Sequence, residues 1–272
     1  MTTAAQEAFL KAFHAERPAV TAEAFAGART TDGRASSYEL LAERVAAHPR
    51  VLDLGCGDGH LLHLLARTPG RTLAGADISP QALALARRRP EVIQAGAVLL
   101  EARAQQLPFA DGAFDAVASH MALMLMGDVE QVAAEIARVL VPGGVLAFVV
   151  GAGGRGTAYE VFRELLGEAL ERTPAERRIP VLGDRRTRDR DAMSGLLAAA
   201  GFDPAPDWET LTLDIGGPPE RVWTALSGLY DLAALDAGTL AGLRAAFLAR
   251  TGGPDDDLPC HFGIHLATAR KR

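Results

Sequence analysis

An apolar run that ends in closely spaced glycines, at residues 51–59, limits the possible folds more than any other feature of the chain. The letters read VLDLGCGDG, and a helical pattern follows at residues 61–67. Glycines at alternate positions let the backbone turn sharply after a buried strand and approach a ligand closely. Such a unit of strand, glycine loop and helix is typical of open α/β sheets that bind a nucleotide cofactor at the carboxyl ends of their strands.

The residues around the glycines separate two kinds of cofactor. The dinucleotide fingerprint has a glycine or alanine where this chain has His60, which is too large for close packing of strand and helix. Asp53 precedes the loop, and a carboxylate there favours a ligand with an ammonium group and repels a diphosphate. Asp77, at the end of the second predicted strand, is placed to accept hydrogen bonds from the ribose hydroxyls of an adenosine. The glycine pattern and Asp53 therefore disfavour NAD.

Short apolar runs alternate with helical patterns along the chain, which is typical of a parallel sheet with crossover helices. Ser79 and Pro80 mark one helix start, with serine as the N-cap and proline at the first helical position. The predicted strands lie at residues 50–54, 71–77, 97–101, 114–119, 145–150, 209–215 and 262–269. The pattern predicts an α/β fold.

Three segments do not fit this alternation, namely residues 1–42, about 152–190 and about 217–257. They carry amphipathic patterns, and the pattern gives none of them a strand. Because ligands bind at the carboxyl edge of open α/β sheets, we expect these segments to cover that edge. The predicted organisation is an N-terminal helical lid at 1–42 and a main domain at 43–272 that contains the other two segments as lid insertions.

Four motifs in order resemble those of one enzyme family. They are VLDLGCGDG (51–59), AGADIS (74–79), ARAQQLPFADGAFDAV (102–117) and ARVLVPGGVLAFV (137–149). The chain resembles the class I S-adenosylmethionine-dependent methyltransferases, in particular the small-molecule group of the ubiquinone/menaquinone-biosynthesis type (methyltransferase type 11). The resemblance implies a Rossmann-like, seven-stranded sheet with helices on both faces, S-adenosylmethionine as the cofactor and methyl transfer as the activity.

The resemblance also implies which residues bind the cofactor. The glycine loop lies beside the methionine part, the acid after the second strand binds ribose, and the segment before Leu-Pro-Phe flanks adenine. These roles fall on Asp53, Gly55, Cys56, Gly57, Asp77, Ile78, Ala104, Gln105, His120 and Met121. One position departs from the pattern, because Arg103 replaces an acid that often precedes the adenine segment. Arg29 or Arg34 is a candidate partner for the cofactor's carboxylate.

Missing motifs narrow the acceptor. The chain has Ser-His-Met-Ala at 119–122, where enzymes that methylate amide or base amino groups carry Asp/Asn-Pro-Pro-Tyr/Phe. The catechol type holds a divalent cation with acids after the fifth strand. This chain has Val-Val-Gly-Ala there, at 149–152. Neither Cys56 nor Cys260 lies where the RNA cytosine type has its nucleophile. What remains is methylation of a small molecule without a metal.

Methyl transfer to a phenol or alcohol requires the loss of a proton, so a base is expected. His120 is the first candidate, because it follows the fourth strand and imidazole titrates near neutral pH. Tyr38 and His14, in the predicted N-terminal lid, are the alternatives, and Tyr159 and Tyr230 are further lid candidates. The presence of these candidate bases favours O-methylation. Trp223 and Tyr230 suggest an apolar or aromatic acceptor, such as a specialised metabolite.

Charge and composition exclude several partners. The net charge is −6 and no basic stripe occurs, which argues against nucleic acid. No run of 18 apolar residues is present, so no membrane span is expected, and the two cysteines predict neither a disulfide framework nor a metal site. We expect a cytoplasmic monomer or homodimer with a small-molecule methyl acceptor. Two alternatives stay open: a relative that binds the cofactor without methylating, structurally or as a cyclase, and an NAD-dependent oxidoreductase.

Overall fold

The computed structural model describes residues 3–253 and 257–272. The first two residues of the predicted N-terminal lid and residues 254–256 of the last predicted insertion lie outside the described residues. The α-helices are α1 Thr3–Glu16, α2 Val20–Phe25, α3 Ser37–Arg44, α4 His60–Leu65, α5 Pro80–Ala86, α6 Pro90–Gln94, α7 Val129–Val139, α8 Thr157–Glu171, α9 Arg190–Ala199, α10 Pro219–Leu226 and α11 Ala237–Thr251. Short 3₁₀ helices span Leu123–Leu125, Ala175–Arg177, Arg185–Arg188 and Tyr230–Ala234.

Within the described residues, eight strands form one sheet. They are β1 Arg29–Thr30, β2 Arg50–Leu54, β3 Thr72–Asp77, β4 Val98–Glu101, β5 Phe114–His120, β6 Leu140–Arg155, β7 Asp207–Asp214 and β8 His261–Arg270. Their order is β1-β7-β8-β6-β5-β2-β3-β4. The run from β6 to β4 is parallel, whereas β8, β7 and β1 pair antiparallel. The predicted α/β fold class is confirmed.

The sheet has one strand more than the sequence predicted. β1 has only two residues, Arg29 and Thr30, which pair with Asp214 and Leu213 of β7. The sequence analysis gave the segment 1–42 no strand, because two residues are too few to show a period. β6 is also longer than predicted, since β8 pairs with it from Val145 as far as Arg155.

Helices pack on both faces of the sheet, as expected for parallel strands. The alternation along β2 shows this directly: Val51 lies in the hydrophobic cluster on one face, while Leu52 and Leu54 lie in the cluster on the other. The first cluster includes Leu41 of α3 and Phe162 of α8. Burial on both faces explains why these strands read as continuous apolar runs.

Trp223 belongs to this core. Its side chain is 7% exposed and packs beside Phe162 and Phe247, with ring centroids 6.0 and 5.7 Å away. The interpretation of Trp223 as an acceptor contact was therefore wrong, because helical spacing alone does not tell a core aromatic from a site aromatic.

No helix among the residues that the structure describes is long and apolar enough to cross a membrane.

Candidate active site

A cavity lies at the carboxyl ends of β2, β3 and β5 and is covered by α1 and the segment that follows it. We call it the cofactor cavity. All ten residues to which the family resemblance assigned a cofactor role line this cavity: Asp53, Gly55, Cys56, Gly57, Asp77, Ile78, Ala104, Gln105, His120 and Met121. The two further base candidates, His14 and Tyr38, line it as well. The roles of these residues remain predictions, but the fold brings them to one place.

The glycine loop connects β2 to α4 through three left-handed residues. Gly55, Gly57 and Gly59 have φ values of +73°, +51° and +78°, which L side chains rarely adopt. A Cβ on Gly59 would meet the backbone and side chain of Ala86, so this glycine allows close packing on α5. A Cβ on Gly57 would meet no atom within 4 Å and lies beside the cavity. Gly57 is thus the glycine whose missing side chain leaves room for a ligand.

Asp77 is oriented by backbone donors. Its Oδ2 accepts a hydrogen bond from Gly57 N and its Oδ1 from Ser79 N, both at 2.8 Å. Burial raises the pKa of this carboxyl group, and the two backbone hydrogen bonds act in the opposite direction. The carboxylate is fixed at the end of β3, where its remaining lone pairs are available to a diol.

Asp53 has an unmet bonding capacity. It is 1% exposed, and its Oδ2 is buried with no hydrogen-bond partner among residues 3–253 and 257–272. Burial raises the pKa of this carboxyl well above its usual value, and the negative charges of Asp77 and Asp58 add to the effect. An unpaired buried carboxyl is costly, and a cationic ligand group beside it would compensate that cost. This fits the ammonium or sulfonium of S-adenosylmethionine.

His120 and Tyr38 form a stack in the wall of the cavity. Their ring centroids are 3.6 Å apart, and His120 Nε2 is hydrogen-bonded to Ser37 Oγ at 2.9 Å. The Nδ1 atom is buried and has no partner in the described part of the chain. Burial lowers the pKa of His120 to about 3, so the imidazole is neutral at pH 7, in contrast to the near-neutral titration that the sequence suggested.

Met121, the residue after His120, has an uncommon backbone conformation. Met121 has a φ of +54°, although it is neither glycine nor asparagine. Its backbone N–H donates to Val149 O at 2.8 Å, which holds this conformation. Strain of this kind is found at functional sites more often than elsewhere. It turns the chain at the end of β5, beside the cavity.

Arg103, at the position where the family pattern often has an acid, is paired with an acid from the N-terminal helix. Its Nε donates to Glu7 of α1 at 2.8 and 2.9 Å, and Glu7 lines the cavity beside the adenine segment. The side chain of Glu7 is 18% exposed. A carboxylate from the N-terminal helix thus lies near the edge where the family pattern has its acid. No sequence motif pointed to Glu7, because its partner Arg103 is 96 residues away.

A second, larger cleft of about 780 Å³ adjoins the cofactor cavity, and we call it the acceptor cleft. Thr21, Met121, Leu125 and Tyr230 line both spaces. The remaining walls include Phe25, Met124, Gly151, Tyr159, Arg163, Ile179, Pro180, Val181, Leu182, Arg185, Arg188, Leu229, Asp231 and Phe262. This cleft is mainly apolar and has the size of a small-molecule site.

Tyr230 is at the junction of the two spaces and contacts the N-terminal helix. Its hydroxyl is hydrogen-bonded to His14 Nε2 at 3.1 Å, and its ring packs on Phe13 at 4.6 Å. Burial lowers the pKa of His14, the Asp77 charge raises it, and the net direction is downward. Burial also raises the pKa of Tyr230. Both groups are therefore neutral at pH 7.

Two other predicted contacts are not made. Arg34 forms an ion pair with Glu209 at 2.7 Å, and Arg29 lies 3.5 Å from Glu39. Neither arginine lines the cavity. The interpretation of Arg29 or Arg34 as a partner of the cofactor carboxylate was wrong, because β1 holds this segment at the far edge of the sheet.

Comparisons with known proteins identify the class. The methyltransferase domain family (Methyltransf_11) matches residues 52–148. The demethylmenaquinone methyltransferase of Thermus thermophilus is 35% identical over 191 residues, which are 67% of this chain and 85% of that protein. Methyltransferase GfsG of Streptomyces halstedii is 41% identical over 124 residues, 45% of this chain and 43% of that protein. The chain therefore spans less than half of this second relative.

Among solved structures, the [4+2]-cyclase SpnF has a TM-score of 0.59 and 22% identity, with 96% of this chain and 94% of that chain covered. At this identity the likeness concerns the fold. The chain belongs to the methyltransferase domain family, within the class I methyltransferases that use S-adenosylmethionine. It is an S-adenosylmethionine-dependent enzyme that methylates a small molecule.

Proposed function

We propose that this enzyme transfers the methyl group to a hydroxyl oxygen of an apolar or aromatic small molecule, of the kind found in specialised metabolism, bound in the acceptor cleft. The observation that carries the proposal is the Tyr230–His14 hydrogen bond at the junction of the two spaces. It puts a proton-accepting pair beside the only wall that the cofactor cavity and the acceptor cleft share in the described residues. An oxygen acceptor is the case that needs such a pair.

The bound cofactor supplies an activated methyl group on its sulfonium. In the proposed arrangement Asp53 faces the positively charged end, Asp77 binds the ribose hydroxyls, and Glu7 accepts from the adenine amino group. Ala104 and Gln105 form the wall beside adenine; Gln105 Nε2 donates to Gly127 O at 2.8 Å, which keeps the amide in place. These residues hold the methyl group in line with the acceptor, which is the main requirement of such a displacement.

The proton balance is simple. As the new O–CH₃ bond forms and the S–CH₃ bond breaks, the acceptor hydroxyl loses its proton and the sulfonium becomes a neutral thioether. Tyr230 accepts that proton while it donates its own to His14 Nε2. This requires the neutral His14 that burial favours, with its proton on Nδ1. The charge of Asp77, which raises the pKa of His14, stabilises the imidazolium that results.

His120 has a different role in this proposal. Its Nε2 is bonded to Ser37 and its ring is stacked on Tyr38, so it orients the wall behind the methyl group. A histidine with a pKa of about 3 is a poor proton acceptor at pH 7. We therefore assign His120 and Tyr38 to positioning and the proton to Tyr230 with His14.

The predicted lid is retained as part of the proposal. Helix α1 covers the cofactor cavity with Glu7, Leu10 and His14, and Tyr230 meets it from the last insertion. A roof of this kind must open for the cofactor to enter, and its closure keeps water from the reaction. Hydrogen exchange should show protection of α1 rising when S-adenosylhomocysteine binds; equal protection with and without it would mean a fixed wall.

Methyl transfer itself gives the test. The enzyme is incubated with methyl-labelled S-adenosylmethionine and a panel of phenols, alcohols and quinols, and the product methyl is located by NMR. A methoxy signal supports the proposal. A methyl on carbon or nitrogen would contradict O-methylation. Conversion of an acceptor without incorporation of label would instead favour a cyclase-like role.

A further inference from the structure

The acceptor cleft has more basic than acidic side chains in its lining. Arg163, Arg185 and Arg188 line it, with Asp231 as the acidic residue of the same lining. We propose, on the basis of the proposed function, that the cleft selects acceptors with an anionic group, a carboxylate, sulfate or phosphate, bound by these guanidinium groups. The acceptor would then be an amphipathic anion, with its apolar body directed toward the cofactor.

The local structure explains why two of these arginines act together. Arg185 and Arg188 are the first and last residues of a 3₁₀ helix. In such a helix, side chains at positions i and i+3 lie one above the other. Arg186, between them, points elsewhere and is paired with Asp184 at 2.6 Å and Glu130 at 2.7 Å. The helix therefore presents two guanidinium groups to the cleft and directs the third away from it.

A different helix supplies the third cation. Arg163 lies on α8, and it is exposed, as are Arg185 and Arg188. Phe162, its neighbour, is fully buried in the core, which fixes this turn of the helix. An anion bound in the cleft would have planar, fork-shaped donors available from two elements, and such donors suit carboxylate and phosphate oxygens.

The charge of the inner cavity sets the direction of the acceptor. Four carboxyl groups line the cofactor cavity, from Glu7, Asp53, Asp58 and Asp77, and no lysine or arginine of the described ranges does. An anionic group finds no cationic side chain in that lining, whereas the three arginines of the acceptor cleft attract it. The hydroxyl that receives the methyl must then lie at the other end of the molecule, beside Tyr230.

The space between the two ends is apolar. Phe25, Leu125, Ile179, Leu229 and Phe262 contribute to its walls. Phe25 and Phe262 have ring centroids 5.1 Å apart and contribute aromatic surface that suits an apolar or aromatic body. The cleft therefore combines apolar walls with three cationic side chains and with Tyr230 at its junction with the cofactor cavity.

A pair of fluorescent probes separates the charge from the apolar body. 8-Anilinonaphthalene-1-sulfonate carries a sulfonate, and N-phenyl-1-naphthylamine is the same molecule without it. Each is titrated against the intact protein with S-adenosylhomocysteine present, for the wild type, Arg163→Gln, the double variant Arg185→Gln/Arg188→Gln and Arg186→Gln. The last is the matched control, since it removes one charge from the same 3₁₀ helix outside the cleft. Thermal melts verify that every variant is folded.

We expect the Kd of the sulfonate probe to rise about fivefold or more in the double variant and to a smaller extent in Arg163→Gln, the size expected for lost charge contacts at a partly exposed rim. Arg186→Gln should leave it unchanged, and the neutral probe should bind all variants alike. If the two probes bind the wild type equally, if both weaken together, if Arg186→Gln has the same effect, or if the sulfonate probe does not bind, the proposal is wrong.

This test does not depend on methyl transfer. An acceptor panel that yields no methoxy product would contradict the proposed function and leave the probe result standing. If the double variant unfolds, Arg163→Gln and the salt dependence carry the test: the affinity of the sulfonate probe should fall from 50 to about 500 mM salt while that of the neutral probe does not. Affinities of both probes that do not respond to salt would overturn the proposal.

Discussion

Arg103, on the loop after β4, donates from Nε to both carboxylate oxygens of Glu7 on α1, at 2.9 and 2.8 Å. Where the family pattern has an acid, this chain has an arginine that holds an acid from the N-terminal helix. The pair joins the roof to the sheet and leaves Glu7 in the lining of the cofactor cavity. A second ion pair, Lys11 with Glu101 at 3.1 Å, ties the same helix one turn further on.

The first prediction follows from this pair. Glu7→Gln should weaken the binding of S-adenosylhomocysteine by about 1.5 kcal/mol, roughly tenfold, because a charged acceptor for the adenine amino group is lost. Lys11→Gln is the matched control: it breaks the neighbouring ion pair of the same helix and should leave the Kd nearly unchanged. Both are measured by calorimetry.

S-Inosylhomocysteine adds a test of direction to that prediction. Its base has a carbonyl oxygen in place of the amino group, so it should bind the wild type poorly and gain affinity in Glu7→Gln, whose amide is able to donate. Equal discrimination between the two ligands in wild type and variant would show that Glu7 does not contact the base.

Gly57→Ala should abolish most cofactor binding with the fold retained. The new Cβ meets no protein atom within 4 Å and would occupy ligand space, while the φ of +51° adds strain of about 1 kcal/mol. Gly70→Ala is the control, since Gly70 has a φ of +82° and open space around its Cβ, but lies outside the cavity lining. Both variants should show similar losses of thermal stability, and only Gly57→Ala a loss of affinity. If Gly57→Ala and Gly70→Ala bound the cofactor with similar affinity, the role of Gly57 would be purely structural.

The sequence predicted the central fold because each of its signals is local. Strand runs, the Ser79 cap and the glycine loop depend on neighbouring residues only, and they appear in the structure where the patterns placed them. The site features that it missed depend on contacts between distant segments. Glu7 with Arg103 and His14 with Tyr230 join residues 96 and 216 positions apart. No spacing rule predicts contacts between residues so far apart in the chain. For the same reason, the sequence does not show that Phe162 and Phe247 pack against Trp223.

Tyr230→Phe should lower kcat for a hydroxyl acceptor about a hundredfold or more, the usual contribution of an acid–base group. The ring stays packed on Phe13, so the Kd of S-adenosylhomocysteine should not change. His14→Gln should give a similar loss, and the double variant little more than either alone, because the two residues act as one pair. His120→Phe should lose much less activity. A larger loss in His120→Phe than in Tyr230→Phe would return the role of base to His120.

His120 also makes a prediction about stability and pH. Its pKa in the folded protein is about 3, below the value of about 6.5 expected for an unfolded histidine. The unfolded state therefore takes up the proton first as the pH falls from 6.5 toward 3, and the free energy of unfolding decreases by up to about 1.4 kcal/mol per pH unit over this window. This contribution is absent in His120→Phe. Between pH 6 and 4, the free energy of unfolding measured by urea titration should therefore fall more steeply for the wild type than for this variant. Parallel curves would mean that His120 is already solvated or bonded in another way.

Asp77 is expected to bind the ribose of S-adenosylmethionine, and this contact is central to the proposed cofactor site. Calorimetry of S-adenosylhomocysteine with the wild type and Asp77→Asn measures this at one site. The two carboxylate oxygens accept from Gly57 N and Ser79 N, so the variant keeps the size of the side chain, removes its charge and loses one of these two hydrogen bonds; a thermal melt verifies that it is folded. We predict micromolar binding by the wild type, a loss of about 1.5–3 kcal/mol in Asp77→Asn, and no heat with NAD. Binding of NAD in place of S-adenosylhomocysteine, or equal affinity of wild type and Asp77→Asn, would contradict the account.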